Sequence, residues 1–204
     1  LDIGGNHMGF APVYGPPFVS DLDSGRRTAT LADFQNFVRL AYMCPHMHHS
    51  GGTVVEPGDV DVRERHLDML LAHMRLSDKA FMGSVTHVDN ARDTVALARI
   101  LFGADEILKN PAVISLINVS SPLRYDERML GALEVYARAR QAVIITPFLI
   151  AGAMSPTSLA ATLAQQNAEA LFGICYAQML NPGTPCVYGS FMANIDMKSG
   201  APCF

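Results

Sequence analysis

The chain has 204 residues, half of them hydrophobic and 17% charged, with a formal net charge of −4. That length can bury a real core in one large domain or two small ones, and so little charge excludes an intrinsically disordered chain. No basic block marks nucleic acid or an anionic membrane as a partner, and no apolar run approaches the ~20 residues of a bilayer span.

The first stretch differs from the rest. In PVYGPPFVSDLDSGRRTAT, from Pro12 to Thr30, Gly, Pro and Asp punctuate short β-like pieces, which predicts a hairpin ahead of the first regular unit. Thr30 then caps a helix over LADFQNFVRLAYM, with Leu31, Phe34, Val38 and Ala41 as its buried face. Pro45 ends that helix and opens CPHMHHSGG, a run of histidines that invites a metal-site reading. Two registers are open here. Either TVVE, from Thr53, is a strand and the histidines lie on a loop, or HMHHS is the strand and TVVEPGDV is a long loop after it. In the second register, alternation sends His46 and His48 to one side and Met47 and His49 to the other. All three histidines could not then share one ion, and no ligand spacing supports a metal.

A helix is expected from about Val62, with Leu67, Leu70, Leu71 and Met74 as its apolar stripe. From Lys79 onward, short apolar runs alternate with amphipathic segments. The runs are KAFMGSV, AVISLIN, AVIITPF and CVYGSF, starting at Lys79, Ala112, Ala142 and Cys186, and they are apolar on both parities as parallel strands covered on two faces are. Between them, Ala91, Val95, Ala98 and Leu101 stripe one helix that Gly103 would end. DERMLGALEVYARAR forms the next helix. TSLAATLAQQNAEALFGICYAQML follows, apolar enough to be buried on several sides. This is a βαβ rhythm, and it fits either a doubly wound sheet or a TIM-type (β/α) barrel. About five to six βα units are present against the eight of a closed barrel, and no terminal helix follows the last strand at GAPCF. The favoured reading is one domain over residues 1–204, the central part of a longer barrel.

Ligands of such folds bind at the C-terminal ends of the strands. The polar and aromatic residues there, with Glu56 on the long early loop, are the candidate substrate-binding set: His87, Asn118, Ser120, Thr146, Phe148, Tyr188, Ser190, Asn194 and Asp196. Helix capping is the plainer account of Ser121, Asp126 and Ser155. No G-x-G-x-x-G, P-loop, H-E-x-x-H or G-x-S-x-G is present. The scattered Cys44, Cys175, Cys186 and Cys203 read as free thiols of a reducing compartment, and the methionines as core fillers. Nothing at Leu1 has the basic region or cleavage motif of a signal peptide, so the expected compartment is the cytoplasm.

NVSSPLRYDERML, VIITPFLIAGAMSPTSLAATLAQQNAEAL and NPGTPCVYGSFMANIDMKSGAP strongly resemble the trimethylamine methyltransferase (MttB-type) family, as do RHLDMLLAHMRLSDKAFMGS and GG…SGRRTATLADF. The resemblance runs in order over essentially the whole chain, and members are about twice as long with a TIM-like barrel. It implies an enzyme that moves a methyl group from a methylated amine, trimethylamine or a quaternary amine such as glycine betaine, to the Co(I) of a corrinoid protein. The cobalamin would belong to that partner, this chain would hold no cofactor or metal of its own, and a homo-oligomer is expected. A quaternary ammonium has no N–H, so aromatic faces and carboxylates must hold it; Phe148, Tyr188, Asp196 and Glu56 fit that need. Trimethylamine enzymes of the family carry pyrrolysine. No such residue occurs here, and its position is expected beyond Phe204. The quaternary-amine group is therefore favoured only because it is larger. No catalytic residue of the family is carried over. The histidine run departs from the family's plainer strand, although the resemblance favours the HMHHS register, in which one parity would line the barrel interior. The competing readings are a non-catalytic barrel fragment used for binding or scaffolding, and a barrel enzyme of different chemistry.

Overall fold

Two short antiparallel strands, β1 (Phe18–Asp21) and β2 (Gly25–Thr28), form the expected hairpin. The Asp21 carboxylate closes its turn by accepting from the backbone N–H groups of Asp23 and Ser24, at 3.0 and 2.5 Å. This computed structural model describes residues 3–203. Leu1 and Phe204, to which the leader and terminal-strand expectations refer, lie outside the described residues. Helix α1 (Leu31–Met43) starts at a capping box made by Thr30 and Asp33. Arg27 grips the same Asp33 carboxylate at 2.6 and 2.8 Å and holds it well below the usual carboxylate range. Phe34, Val38 and Ala41 are buried as their spacing predicts, while Leu31 is only partly covered.

The remaining elements follow in alternation: α2 (Arg65–Leu76), β3 (Phe81–Met82), α3 (Val88–Phe102), α4 (Glu106–Lys109), β4 (Val113–Val119), α5 (Glu127–Arg138), β5 (Ala142–Ala151), α6 (Leu159–Leu180), β6 (Cys186–Tyr188), β7 (Phe191–Ile195) and β8 (Pro202–Cys203). They build a curled half-barrel sheet in the order β3-β4-β5-β7-β8, with β6 also on β5. All pairs from β3 to β7 are parallel, and β8 turns back antiparallel on β7. β6 and β7 keep one register on β5, Ile145 opposite Tyr188 and Phe148 opposite Phe191, so they act as a single strand broken at Gly189 and Ser190. A Cβ at Gly189 would stand 2.5 Å from Thr146 Oγ1 and 2.8 Å from the Ile145 carbonyl, so no larger residue fits that break.

The histidine run takes the strand register. His49 bridges Ala80 in parallel, the Ser50 N–H donates to the Ala80 carbonyl at 2.9 Å, and the Met82 N–H to the Gly51 carbonyl at 2.8 Å. Residues 53–64 are therefore the long connection to α2, as the second register requires.

The sheet alternates cleanly. Val113, Ile117 and Val119 of β4 and Val143 and Ile145 of β5 pack under α3, α5 and α6, and the opposite parity forms the inner face of the curl. A second cluster joins the hairpin, α1, α2 and Val54 and Val55. At the strand starts, buried Gln141 donates to the Ile107 and Ala139 carbonyls and accepts from the Ala112 and Val113 N–H groups, which satisfies its amide fully.

Three helix expectations need correction. α2 begins at Arg65, not Val62, and buries His66, Leu70, Ala72 and His73, while Leu67 and Leu71 face outward. Its true inner face lies about one residue round from the leucine stripe, because His73 is bonded to the first strand. In α3, Thr94 is buried and Leu101 exposed, while Gly103 ends the helix at φ +92° as expected. α6 is not buried on several sides among the described residues. It turns Thr162, Gln166, Glu169, Ala170, Gly173 and Ala177 inward and leaves Leu163, Leu171, Phe172 and Met179 exposed.

Candidate functional site

On the inner face, four side chains gather toward the strand ends. Asn118 and Thr146 are direct partners across β4 and β5, and Phe148 and Phe191 across β5 and β7. The two rings stack at 4.9 Å between centroids with 14° between their planes. The Asn118 side chain is exposed and makes no hydrogen bond among the described residues. Thr146 Oγ1 is buried without a partner, pressed toward Gly189. An unpaired buried hydroxyl costs roughly 1–3 kcal/mol, so it marks a place where a ligand group has something to gain.

The loops around this face are held from below by α6. Glu169, 2% exposed, accepts from the Ser121 hydroxyl at 2.5 Å, the Leu123 N–H at 2.7 Å and the Gln165 amide at 2.9 Å. Its own carbonyl accepts from the Tyr125 hydroxyl at 2.8 Å, and burial beside this carboxylate pushes that phenol up. One turn earlier, Gln166 donates to the Tyr188 hydroxyl and accepts from the Ser190 hydroxyl at 2.7 Å. The polar residues of AQQNAEAL thus fix both the β4–α5 loop, which contains a cis peptide at Ser121–Pro122, and the break between β6 and β7.

The other sequence candidates are dispersed around this centre. His87 is the exposed N-cap of α3, its Nδ1 accepting from the Asp89 N–H. Ser120 donates to Asp126, which caps α5 through the Met129 N–H as anticipated. Ser155 contacts Thr162, and the cap of α6 is Ser158 instead. Tyr188 and Ser190 are tied to Gln166. Asn194 is exposed at the end of β7, and Asp196 holds its own turn by accepting from the Lys198 N–H and the Ser199 hydroxyl.

Glu56 stands apart from that centre, two strands away, and pairs with Arg65. Both line a cavity of about 270 Å³ between residues 52–56, the first turns of α2 and the end of β3, with Tyr14 from the N-terminal segment at its edge. The β3 end is fixed by Tyr136, whose hydroxyl donates to the Ser84 carbonyl at 2.6 Å and is pushed up to about 12 by burial. Gly83 permits that approach, since a Cβ there would press on the Tyr136 hydroxyl and stand 2.9 Å from its Cζ. Behind the cavity, His73 is 1% exposed, with Nε2 2.8 Å from the Gly52 carbonyl and Nδ1 3.0 Å from Ser50 Oγ. Burial lowers it to about 4, so it is neutral, with Nε2 donating to the carbonyl. His49, also lowered to about 4 by burial, accepts from the Gly51 N–H, while exposed His48 accepts from the Phe10 N–H and stacks on that ring. The histidine run therefore splits between the interior and the surface. Among the described residues, no three or more of His, Cys, Asp and Glu gather as a metal ion would require.

Sequence reasoning missed Gln166, Glu169, His66, His73 and Phe191. The AQQNAEAL motif was visible, but its direction was not.

A profile described as trimethylamine methyltransferase (MTTB) matches residues 1–204. The chain is 52% identical to a glycine betaine methyltransferase of Desulfitobacterium hafniense over 200 residues, 98% of this chain and 42% of that protein. It is 24% identical to a proline betaine:corrinoid methyltransferase of Eubacterium limosum, over 92% of this chain and 40% of that protein. A trimethylamine methyltransferase, MttB2, of Methanosarcina mazei is 35% identical over 56% of this chain and 23% of its own length. The chain spans less than half the length of these curated relatives.

Proposed function

This chain belongs to the trimethylamine methyltransferase (MTTB) family, and from that premise we propose that the whole protein demethylates a betaine. It passes one methyl group from the quaternary nitrogen to the Co(I) of a corrinoid carried by a partner protein. The half-barrel described above is then part of a complete (β/α)8 barrel in a cytoplasmic homo-oligomer. The betaine reading is favoured over trimethylamine because the two betaine-named relatives align with more than nine tenths of this chain, the MttB2 protein with 56%.

The observation that carries the reading is the stacked Phe148–Phe191 pair on the inner face, beyond Asn118 and Thr146. A quaternary ammonium offers no N–H, so an aromatic surface is the side chain that can attract it, at ~2 kcal/mol when desolvated. The Asn118 amide and the unpartnered Thr146 hydroxyl are donors, which suits the carboxylate end. Phe148 lies two residues along β5 from Thr146, about 7 Å at strand rise, the scale of a small betaine. The corrinoid supplies the nucleophile. The chain's own residues hold the amine, orient one methyl group outward and keep water from the reacting carbon. No residue needs to act as a base, because the leaving amine departs with its own lone pair.

The test uses the whole protein with its Co(I)-corrinoid partner and glycine betaine, proline betaine, trimethylamine and choline in turn, following loss of the Co(I) absorbance. Turnover with a betaine and little with trimethylamine or choline is expected. Turnover with trimethylamine alone, or with none of the four, overturns the proposal.

A further inference from the structure

The ring of Phe191 follows an interruption in its strand. β6 ends at Tyr188, β7 begins at Phe191, and Gly189 and Ser190 lie between them. β5 holds one side of this break, because the Gly189 N–H donates to the Ile145 carbonyl at 2.8 Å. The helix layer holds the other side through one side chain. Gln166 of α6 is 5% exposed; its Nε2 donates to the Tyr188 hydroxyl at 3.2 Å, and its Oε1 accepts from the Ser190 hydroxyl at 2.7 Å. Tyr188 is tied to α6 again through Asn167, whose Oδ1 accepts from the same hydroxyl at 3.3 Å. The other polar residues of this run serve different loops. Gln165 donates to the Met154 carbonyl at 3.0 Å, and Glu169 accepts from Ser121 and Leu123. One amide thus bridges the residues on either side of Gly189, and Phe191 comes directly after the second of them.

We propose that Gln166 is a positioning residue for the cationic end of the substrate: by fixing Tyr188 and Ser190, it sets the place of the Phe191 ring against Phe148. The proposal rests on the betaine reading for its ligand. Tyr188 lies in register with Ile145, whose parity packs under the helices, and Phe191 with Phe148 on the inner face. Gln166 therefore works from behind the sheet and reaches the ammonium only through the ring. A cation–π contact depends on where the ring stands, and a ring that must be ordered as the ligand arrives gives back part of the attraction. The amide removes that loss by holding both flanks of the break before the ligand binds. Its effect belongs to binding and not to the chemical step, since the charge on nitrogen fades as the methyl group leaves.

Isothermal titration of the whole protein with glycine betaine gives Kd, and turnover with the Co(I)-corrinoid partner gives kcat. Thermal melts accompany both. Gln166→Met keeps the length of the side chain and removes both hydrogen bonds; its Kd should rise roughly tenfold while kcat stays within about threefold. Ser190→Ala deletes one hydroxyl from an exposed residue and should raise Kd about threefold, which decides the matter if Gln166→Met does not fold. In a Phe191→Leu background, adding Gln166→Met should change Kd by less than about twofold, because the amide acts through the ring. Three results overturn the proposal: an unchanged Kd in folded Gln166→Met or in Ser190→Ala, a fall in kcat with Kd held, or effects that multiply in the double variant. Betaine turnover with binding indifferent to Gln166 removes this role and leaves the methyl-transfer reading standing. Binding that weakens in Gln166→Met, without turnover in the wild-type protein, does the reverse. A wild-type protein that does not bind betaine overturns both.

Discussion

α2 and α6 both turn polar side chains toward the interior, and they do so to different ends. On α6, Gln166 and Glu169 spend their hydrogen bonds on the loops at the strand ends, and neither has a buried atom without a partner. On α2, His73 is satisfied in the same manner, but His66 and Arg65 keep an unpaired nitrogen each beside a cavity. The lesson is physical. A buried polar group with all its bonds made holds the scaffold together, whereas one left unpaired carries the cost of its lost hydration.

The largest effect is expected where the scaffold is cut. Glu169→Ala leaves the Ser121 hydroxyl and the Leu123 N–H without their acceptor, and charged hydrogen bonds of this kind are worth about 1.5–3 kcal/mol each. Unfolding by urea should show a loss of about 3 kcal/mol or more, with betaine turnover falling at least a hundredfold as the loop loosens. A variant with unchanged midpoint and turnover would break the distinction between the helices.

Acidification attacks the other region. His49 and His73 are both buried and lowered from 6.5 to about 4, so their folded pKa values lie below the unfolded one. Stability is therefore full above the unfolded value near 6.5 and falls as pH drops toward 4, because the unfolded chain takes up protons that the folded chain refuses. On the order of 3 kcal/mol is at stake for each group. Asp33, held below its ordinary value, loses its contribution only below about pH 4. Thermal melts between pH 7 and 4 should show Tm falling through that window, and less steeply in His73→Leu. A flat profile would mean that these histidines are not buried neutral.

At the inner face, Phe148→Leu keeps apolar bulk and removes the ring stacked on Phe191. Loss of a cation–π contact of ~2 kcal/mol predicts a rise in betaine KM of roughly 30-fold with little change in Tm. The smallest effect belongs to the histidine run. His48→Asn alters an exposed ring and should change stability by under about 0.5 kcal/mol, whereas His49→Asn disturbs a group that is 3% exposed and should cost more. Equal effects at both positions would contradict the inward and outward split.

Much of this frame is legible in the residues. Runs apolar on both parities mark β4 and β5, Thr30 and Gly103 mark helix ends, and the alternation of HMHHS separates His48 from His49. Asn118, Thr146 and Phe148 fall on one parity and meet at one face. The direction of α2 and α6 is not legible. In α6, apolar residues surround the helix, so no stripe points inward, and the face is chosen instead by the bonds that Gln166 and Glu169 make to distant loops. In α2, a leucine stripe competes with a histidine face one residue round, and His73 settles the choice through Ser50 and Gly52, residues more than 20 positions earlier. Phe191 escapes notice because the strand break at Gly189 hides that β6 and β7 share one register.

The central claim is that the quaternary nitrogen rests on the Phe148–Phe191 pair with its carboxylate toward Asn118 and Thr146. A crystal structure of the whole protein soaked with glycine betaine tests it most directly. The account predicts the trimethylammonium group against the two rings and a carboxylate oxygen within hydrogen-bonding distance of Thr146 Oγ1. Betaine bound elsewhere, with that pair covered by other parts of the protein, would contradict it.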